Sequence, residues 1–211
     1  MKAFLILSSG KSNVNFYRED FLMRKKDEDI VISANGGYTI AASMGIKPDF
    51  LIGDMDSVER IDKNNNLKLM RYPRDKDYSD FELSLQYAKN FNPEIIIVYG
   101  ALGGRDDHSF INLVLLAYLE IPSVFIENDV MVYNIKNSVV LHNESGRLCS
   151  LVALSAGCRV DSMEGFKYEI KDEELKPSSR GLSNIINKDR AVIRANGGPL
   201  LFFLNKHLYI L

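Results

Sequence analysis

Cysteine is nearly absent from this chain: Cys149 and Cys158 are the only two in 211 residues. With no second pair and no histidine nearby, they supply neither a zinc-ligand spacing nor a disulfide framework, and they read as buried thiols in a reducing cytoplasm. An excess of one charge is missing too. The 26 Lys and Arg face 28 Asp and Glu, a net charge of −2, and no basic stripe with interleaved aromatics occurs, which argues against nucleic acid as the partner. No apolar run is long enough to span a membrane. The opening MKAFLILSSGKS carries a short apolar run without a small-residue cleavage site, so it reads as a first strand rather than a signal peptide. Internal repeats, low-complexity tracts and a G-x-x-x-x-G-K-[ST] phosphate loop are all lacking. What remains is a chain suited to a small-molecule or protein partner.

A length of 211 residues allows one domain with an appendage or two unequal domains. Over residues 1–128, short apolar runs do not alternate: AFLIL (3–7), IVISA (30–34), FLIG (50–53), LKLMRY (67–72), EIIIVYG (94–100) and SVFIE (123–127). That pattern predicts parallel strands covered on both faces. Between them, residues 38–44, 79–90 and 110–119 space their apolar residues as helices do, with Gly, Pro or Asn at the ends. The first domain is therefore expected to be a Rossmann-like α/β layer. Over residues 129–211 the character changes to short strand-like runs separated by Asn, Gly, Ser and charged turns, which predicts a smaller antiparallel β-sandwich or barrel. The stretch KDEELKPSSRGLSN (171–184) reads as its longest polar loop.

The chemistry-bearing residues cluster just past strand ends, where an open parallel sheet gathers its ligands. In IGDMDS (52–57), Asp54 and Asp56 follow a strand directly. If the chain stays extended there, both carboxylates face one side and invite a hard cation such as Mg²⁺. A polar turn capping a helix explains them equally well. In RDKDYSDFE (74–82), Ser79 and Glu82 form a capping box, and Asp80 sits in the first helical turn, where the macrodipole favours an acid without any function. Lys76 and Arg74 are candidate phosphate contacts, and Asp75 and Asp77 read as a solvated loop. In GALGGRDDH (100–108), the glycines permit close backbone approach, Arg105 offers a fork for phosphate, and Asp107 and His108 offer a ligand or base. A structural Asp–His pair is the plainer alternative. ANGG (34–37) completes the set.

In order and spacing, these segments resemble the thiamine pyrophosphokinase family: ANGG with GIKPDFLIGDMDS, DKDYSDFELSL, GALGGRDDHSFINL, GFKYEI (165–170), RGLSN (180–184) and GPLLFF. The resemblance implies transfer of a diphosphate from ATP to the thiamine hydroxyl with Mg²⁺, by a homodimer whose active sites lie in clefts between subunits. It implies an α/β catalytic domain over 1–128 and a β-sandwich over 129–211 for thiamine binding and dimerisation. Asp54, Asp56 and Asp80 become the metal ligands, and with Asp107 the catalytic acids. Gly36, Gly37, Asp54, Lys76, Gly103, Gly104, Arg105 and His108 become ATP contacts, and Tyr168, Ser183 and Asn184 thiamine contacts.

The chain departs from the family pattern at Asn35, where Asp is common, at Leu102 in place of Thr, at Asp106 in place of an apolar residue and at Ile185 in place of Glu. A non-catalytic nucleotide- or thiamine-binding relative, and a Mg²⁺-dependent phosphohydrolase or transferase with another acceptor, are the competing expectations.

Overall fold

The computed structural model describes residues 1–8, 13–56, 58 and 66–208. In chain order its elements are β1 Lys2–Ile6, α1 Val14–Arg24, β2 Ile30–Ala34, α2 Gly37–Ser43, β3 Phe50–Gly53, β4 Lys68–Arg71, α3 Asp80–Lys89, β5 Ile95–Tyr99, α4 Asp106–Tyr118, β6 Ser123–Ile126, β7 Val130–Ile135, β8 Ser138–His142, β9 Arg147–Ala153, β10 Cys158–Glu164, β11 Ile170–Leu175, β12 Asn184–Ile185, β13 Arg190–Asn196 and β14 Leu200–Leu208. They form two compact units, Met1–Asn112 with Phe125–Asn128, and Leu113–Val124 with Asp129–Leu211.

In the first unit, strand order β6-β5-β1-β2-β3-β4 places the first strand at the centre of a sheet. The pairs β1–β2, β1–β5, β2–β3 and β3–β4 are all parallel. Phe4, Leu5, Ile6, Ile32, Leu51, Ile52, Ile96 and Val98 are fully buried, as the non-alternating runs require when helices cover both faces. Gly37 starts α2 because nothing larger fits: a Cβ there would lie 1.9 Å from the Ile6 carbonyl oxygen.

Four local expectations need correction. Helix α1 was not anticipated, because its inner side is only partly apolar: its buried residues are Tyr17, Asp20 and Phe21. Asp20 is accommodated by the Tyr99 hydroxyl at 2.8 Å and Arg24 at 2.7 Å, satisfaction that a hydropathy pattern does not reveal. Helix α4 begins at Asp106 rather than at residue 110, since acids favour a first helical turn. Strand β4 is mostly exposed, an edge pairing with β3 instead of a covered strand. Finally, β11 occupies 170–175 inside the stretch read as the polar loop. It bonds to β10 along its length and buries only Ile170 and Leu175, so its exposed Lys and acids carry no strand signal while suiting a sheet edge.

The second unit stacks two sheet layers. One runs β12-β9-β14-β7 and the other β11-β10-β13-β8, with antiparallel pairing throughout. Their inner faces share one core that includes Leu141, Leu151, Val160, Ile193 and Phe202 together with both cysteines. This is the expected β-sandwich. Cys149 and Cys158 are free, buried thiols, and no described helix is long and apolar enough to cross a membrane.

Candidate active site at the strand ends

Parallel register sets the first half of the site. Ala34 of β2 lies opposite Ile52 of β3, so the residues just past each strand, Asn35 and Asp54, emerge side by side. The Asn35 backbone donates to the Ile52 carbonyl at 2.8 Å and turns left-handed, with φ of 42°, a conformation that asparagine tolerates better than most residues. Its Nδ2 then donates to Asp54 Oδ1 at 2.9 Å and to Asp56 Oδ1 at 3.1 Å.

The two carboxylates converge, although not by the extended backbone that the sequence suggested. Met55 turns left-handed, with φ of 67°, and packs against Tyr38 and Leu51 in the core. Burying that thioether tightens the turn, and Asp56 N closes it by donating to Asp54 Oδ1 at 3.2 Å. The last residue of IGDMDS, Ser57, lies outside the described residues, as does the polar 9–12 stretch after β1.

The second half comes from α3 and the loop before it. Ser79 caps the helix, its Oγ accepting from Glu82 N at 3.1 Å, and Asp80 follows in the first turn. Asp80 is not consumed by that helix. Its Oδ1 lies 3.2 Å from Lys76 Nζ, both side chains being largely shielded from solvent. Gly53 keeps the two halves close: a Cβ there would stand 3.0 Å from Asn35 Cβ and 3.2 Å from Asp80 Cγ, at a φ of 146°.

A cleft of about 280 Å³ opens between these parts, and Asn35, Gly36, Arg74, Lys76, Asp80 and His108 all line it. Cationic and anionic groups thus share one opening at the carboxyl ends of the strands. Asp54 and Asp56 join it through Asn35, and Gly37 lies one residue deeper, against β1. The glycine turn before α4 stands apart from this lining. Gly103 and Gly104 are exposed and left-handed, and Arg105 holds Asp107 through Nη2 to Oδ2 at 2.5 Å. The Arg105 hydrogen bond keeps the Asp107 carboxyl below the usual carboxylate range and raises the guanidinium in turn.

Some contributors had no signal in the sequence. Glu127 Oε1 accepts from the backbone amides of Ala101 at 2.7 Å and Leu102 at 3.0 Å, and Tyr17 donates its hydroxyl to Oε2. This carboxylate fixes where the glycine turn leaves β5. Asn112 does the same from α4, its Nδ2 donating to the Ala101 carbonyl at 2.8 Å. Glu127 acts from outside the segment it holds, which no local motif records, whereas Asn112 ties GALGGRDDHSFINL back on itself.

In the second unit, Asn184 is buried and organises the Tyr168 turn. Its Oδ1 accepts from Tyr168 N at 3.0 Å, and its Nδ2 donates to the Tyr168 carbonyl at 2.7 Å. Tyr168 is left 54% exposed, with Lys167 Nζ 5.5 Å from its ring centre. Ser183 is exposed and left-handed, with φ of 55°, and its amide donates to Ser150 Oγ at 3.2 Å.

The donor chemistry at the strand ends is all oxygen. Two convergent carboxylates suit Mg²⁺ in the mode where phosphates and water supply the remaining ligands. Among the described residues no three acids, histidines or cysteines are grouped closely enough to hold a metal on their own.

Comparison with known proteins supplies the family context. Residues 22–126 match the model of the thiamin pyrophosphokinase catalytic domain, and residues 136–198 match that of the thiamin pyrophosphokinase vitamin B1 binding domain. A thiamine pyrophosphokinase of Bacillus subtilis is 25% identical over 181 residues, 82% of this chain and 83% of that protein. Thiamine pyrophosphokinase 1 of Arabidopsis thaliana is 26% identical over 171 residues, 73% of this chain and 64% of that protein. The chain therefore spans less than two thirds of the plant relative. Among solved structures, that of thiamine pyrophosphokinase from Bacillus subtilis superposes with a TM-score of 0.80 at 21% identity, covering 99% of this chain and 100% of the other. The yeast thiamin pyrophosphokinase structure gives 0.69 at 13% identity, covering 97% and 86%. At such identities the structural likeness speaks to the fold.

Proposed function

The chain belongs to the thiamin pyrophosphokinase family, and from that premise we propose that it transfers the diphosphate of ATP to the hydroxyl of thiamine, releasing thiamine diphosphate and AMP. The observation that carries this reading is the cleft at the strand ends, where Asn35, Lys76, Asp80 and His108 meet and Asp54 and Asp56 join through Asn35. Polyphosphate needs both signs there: cations for its oxygens, and carboxylates for the metal that travels with it.

In this reading residues 1–128 form the ATP-binding catalytic domain, and residues 129–211 bind thiamine and a second copy of the chain. The protein works in the cytoplasm as a homodimer with active sites between subunits. Lys76 holds phosphate oxygens, Gly36 and Gly37 let the chain pass close to them, and Gly103, Gly104, Arg105 and His108 close on the nucleotide. Asp54, Asp56 and Asp80 are the ligands for Mg²⁺, which neutralises phosphate charge when bound. Tyr168 offers a flat face to the cationic thiamine rings, supported by Ser183 and Asn184.

The thiamine oxygen attacks the β-phosphorus in line, the bond from that phosphorus to the bridging oxygen of AMP breaks, and AMP leaves. The hydroxyl proton passes to Asp107, which must first part from Arg105. Positioning and electrostatics supply most of the acceleration, as is usual for phosphoryl transfer.

The test is direct. Purified protein with ATP, Mg²⁺ and thiamine should yield thiamine diphosphate and AMP in equal amounts by chromatography. ADP and phosphate without thiamine dependence would instead indicate a phosphohydrolase, and ligand binding without product a non-catalytic relative.

A further inference from the structure

We propose that Asn35 closes the Asp54–Asp56 pair against a free divalent cation, so that the metal enters only as its complex with a nucleotide polyphosphate. The inference rests on the functional reading above and concerns how its metal arrives.

Three observations converge on this residue. First, one amide nitrogen serves both acids, at 2.9 Å to Asp54 Oδ1 and 3.1 Å to Asp56 Oδ1. An amide N–H cannot ligate a metal, and here it occupies one oxygen of each carboxylate. Second, the amide is not free to turn over. Rotating it would set Asn35 Oδ1, which is buried and accepts no hydrogen bond among the described residues, against two carboxylates. The acceptor stays unsatisfied while the donor makes hydrogen bonds to two carboxylates, so the acids themselves hold the amide in this orientation. Third, the residue is anchored on both sides. Its backbone donates to Ile52 O at 2.8 Å and accepts from Tyr38 N at 3.0 Å, and Gly53 leaves no slack beside its Cβ.

Two neighbouring carboxylates would otherwise repel each other and draw in a cation. Here a neutral donor removes part of that repulsion. An ion arriving alone would have to displace the amide from this pair, and the third acid, Asp80, is engaged by Lys76 at 3.2 Å. An ion arriving on polyphosphate already carries most of its ligands, and its anionic host finds Lys76 in the same cleft. The expected substrate is thus the preformed metal–nucleotide complex, with free Mg²⁺ adding nothing beyond what forms that complex.

Mn²⁺, followed by electron paramagnetic resonance, is the probe, used on the full chain with and without the α,β-methylene analogue of ATP. The native protein should leave Mn²⁺ free in the absence of the analogue and take it up in its presence. Asn35→Asp should bind Mn²⁺ alone about ten-fold more tightly, because one more carboxylate raises the ligand charge. Asn35→Gly, which suits the left-handed backbone and removes the clamp, should also admit the ion alone. Thermal melting checks that both variants fold. Native protein that binds Mn²⁺ alone as tightly as Asn35→Asp overturns the inference, whatever the turnover assay gives. If the native protein takes up no Mn²⁺ with the analogue and makes no thiamine diphosphate, the functional reading falls and the inference with it.

Discussion

Arg105 grips Asp107 at two points, Nε to Oδ1 at 3.1 Å and Nη2 to Oδ2 at 2.5 Å, two residues apart on an exposed turn. The pair matters because a base must be able to accept a proton, and this carboxyl is held below its usual range by the arginine hydrogen bond. A depressed carboxyl contributes its folded-state preference above the ordinary carboxylate range and loses it as pH falls through the lowered value. Near neutrality Asp107 is therefore always ionised. Arg105→Ala should raise its titration toward the ordinary aspartate range. A carboxyl ¹³C titration by NMR checks this, and an unchanged Asp107 titration would show that the pairing is absent in solution.

Asp54→Asn should lower kcat by a hundred-fold or more, on the order of losing one preorganised electrostatic partner, while the melting temperature stays near that of the native chain. Asp54 is half-buried, and asparagine keeps an oxygen to accept from Asn35 Nδ2 and Asp56 N, so the lost charge is felt by the phosphates rather than by the fold. Product formation and a melting curve on the same sample separate the two effects. Near-native turnover would remove Asp54 from the metal set.

Gly37 and Gly53 predict different failures. Alanine at 37 would drive a methyl into the Ile6 carbonyl at the sheet centre, and overpacking of that kind costs about 3 kcal/mol. Alanine at 53 meets Asn35 and Asp80 at 3.0 to 3.2 Å, so it should raise KM for ATP and lower kcat, with stability reduced only by backbone strain of ~1 kcal/mol. Denaturant melts combined with kinetics distinguish a packing glycine from a site glycine.

Glu127→Ala should leave the Ala101 and Leu102 amides without their acceptor. Each stranded donor costs ~1–3 kcal/mol, and the glycine turn should loosen at its root. Faster amide exchange at 101 and 102, measured by NMR, is the expected signature. Tyr17→Phe should show a smaller version, since the Tyr17 phenol is buried and its titration is raised first by that burial and then by Glu127.

Tyr168 and Asn184 should be separable by what each loses. Tyr168→Ala removes an exposed ring and should weaken thiamine binding by about ten-fold with no change in melting, in line with ~1–2 kcal/mol for a cation over an aromatic face. Asn184→Ala should weaken binding as well, but through the turn it holds, and it should also destabilise the chain by ~2 kcal/mol. Calorimetric titration with thiamine and thermal melts on both variants test this. Equal melting losses would mean that Tyr168 is itself a packing residue.

Much of this was legible from residue order. Non-alternating runs such as IVISA and FLIG foretold strands covered on both faces, and a buried parallel sheet leaves no other pattern. The capping box at Ser79 placed the start of α3 within one residue, because caps act over a single turn. By contrast, β11 was hidden by its charges: an edge strand is held by backbone bonds to its neighbour, and side-chain pattern carries little of that information.

The sequence alone determined the two architectures, the family, and which segments bear acids, since periodicity, capping and motif order are all local or ordered along the chain. Tertiary structure decided which of those acids meet. Register between β2 and β3 brought Asn35 to Asp54, the burial of Met55 turned Asp56 back toward the same amide, and Glu127, far along the chain, fixed the exit of the glycine turn. Such choices depend on distances between residues remote in sequence, and only a folded chain sets them.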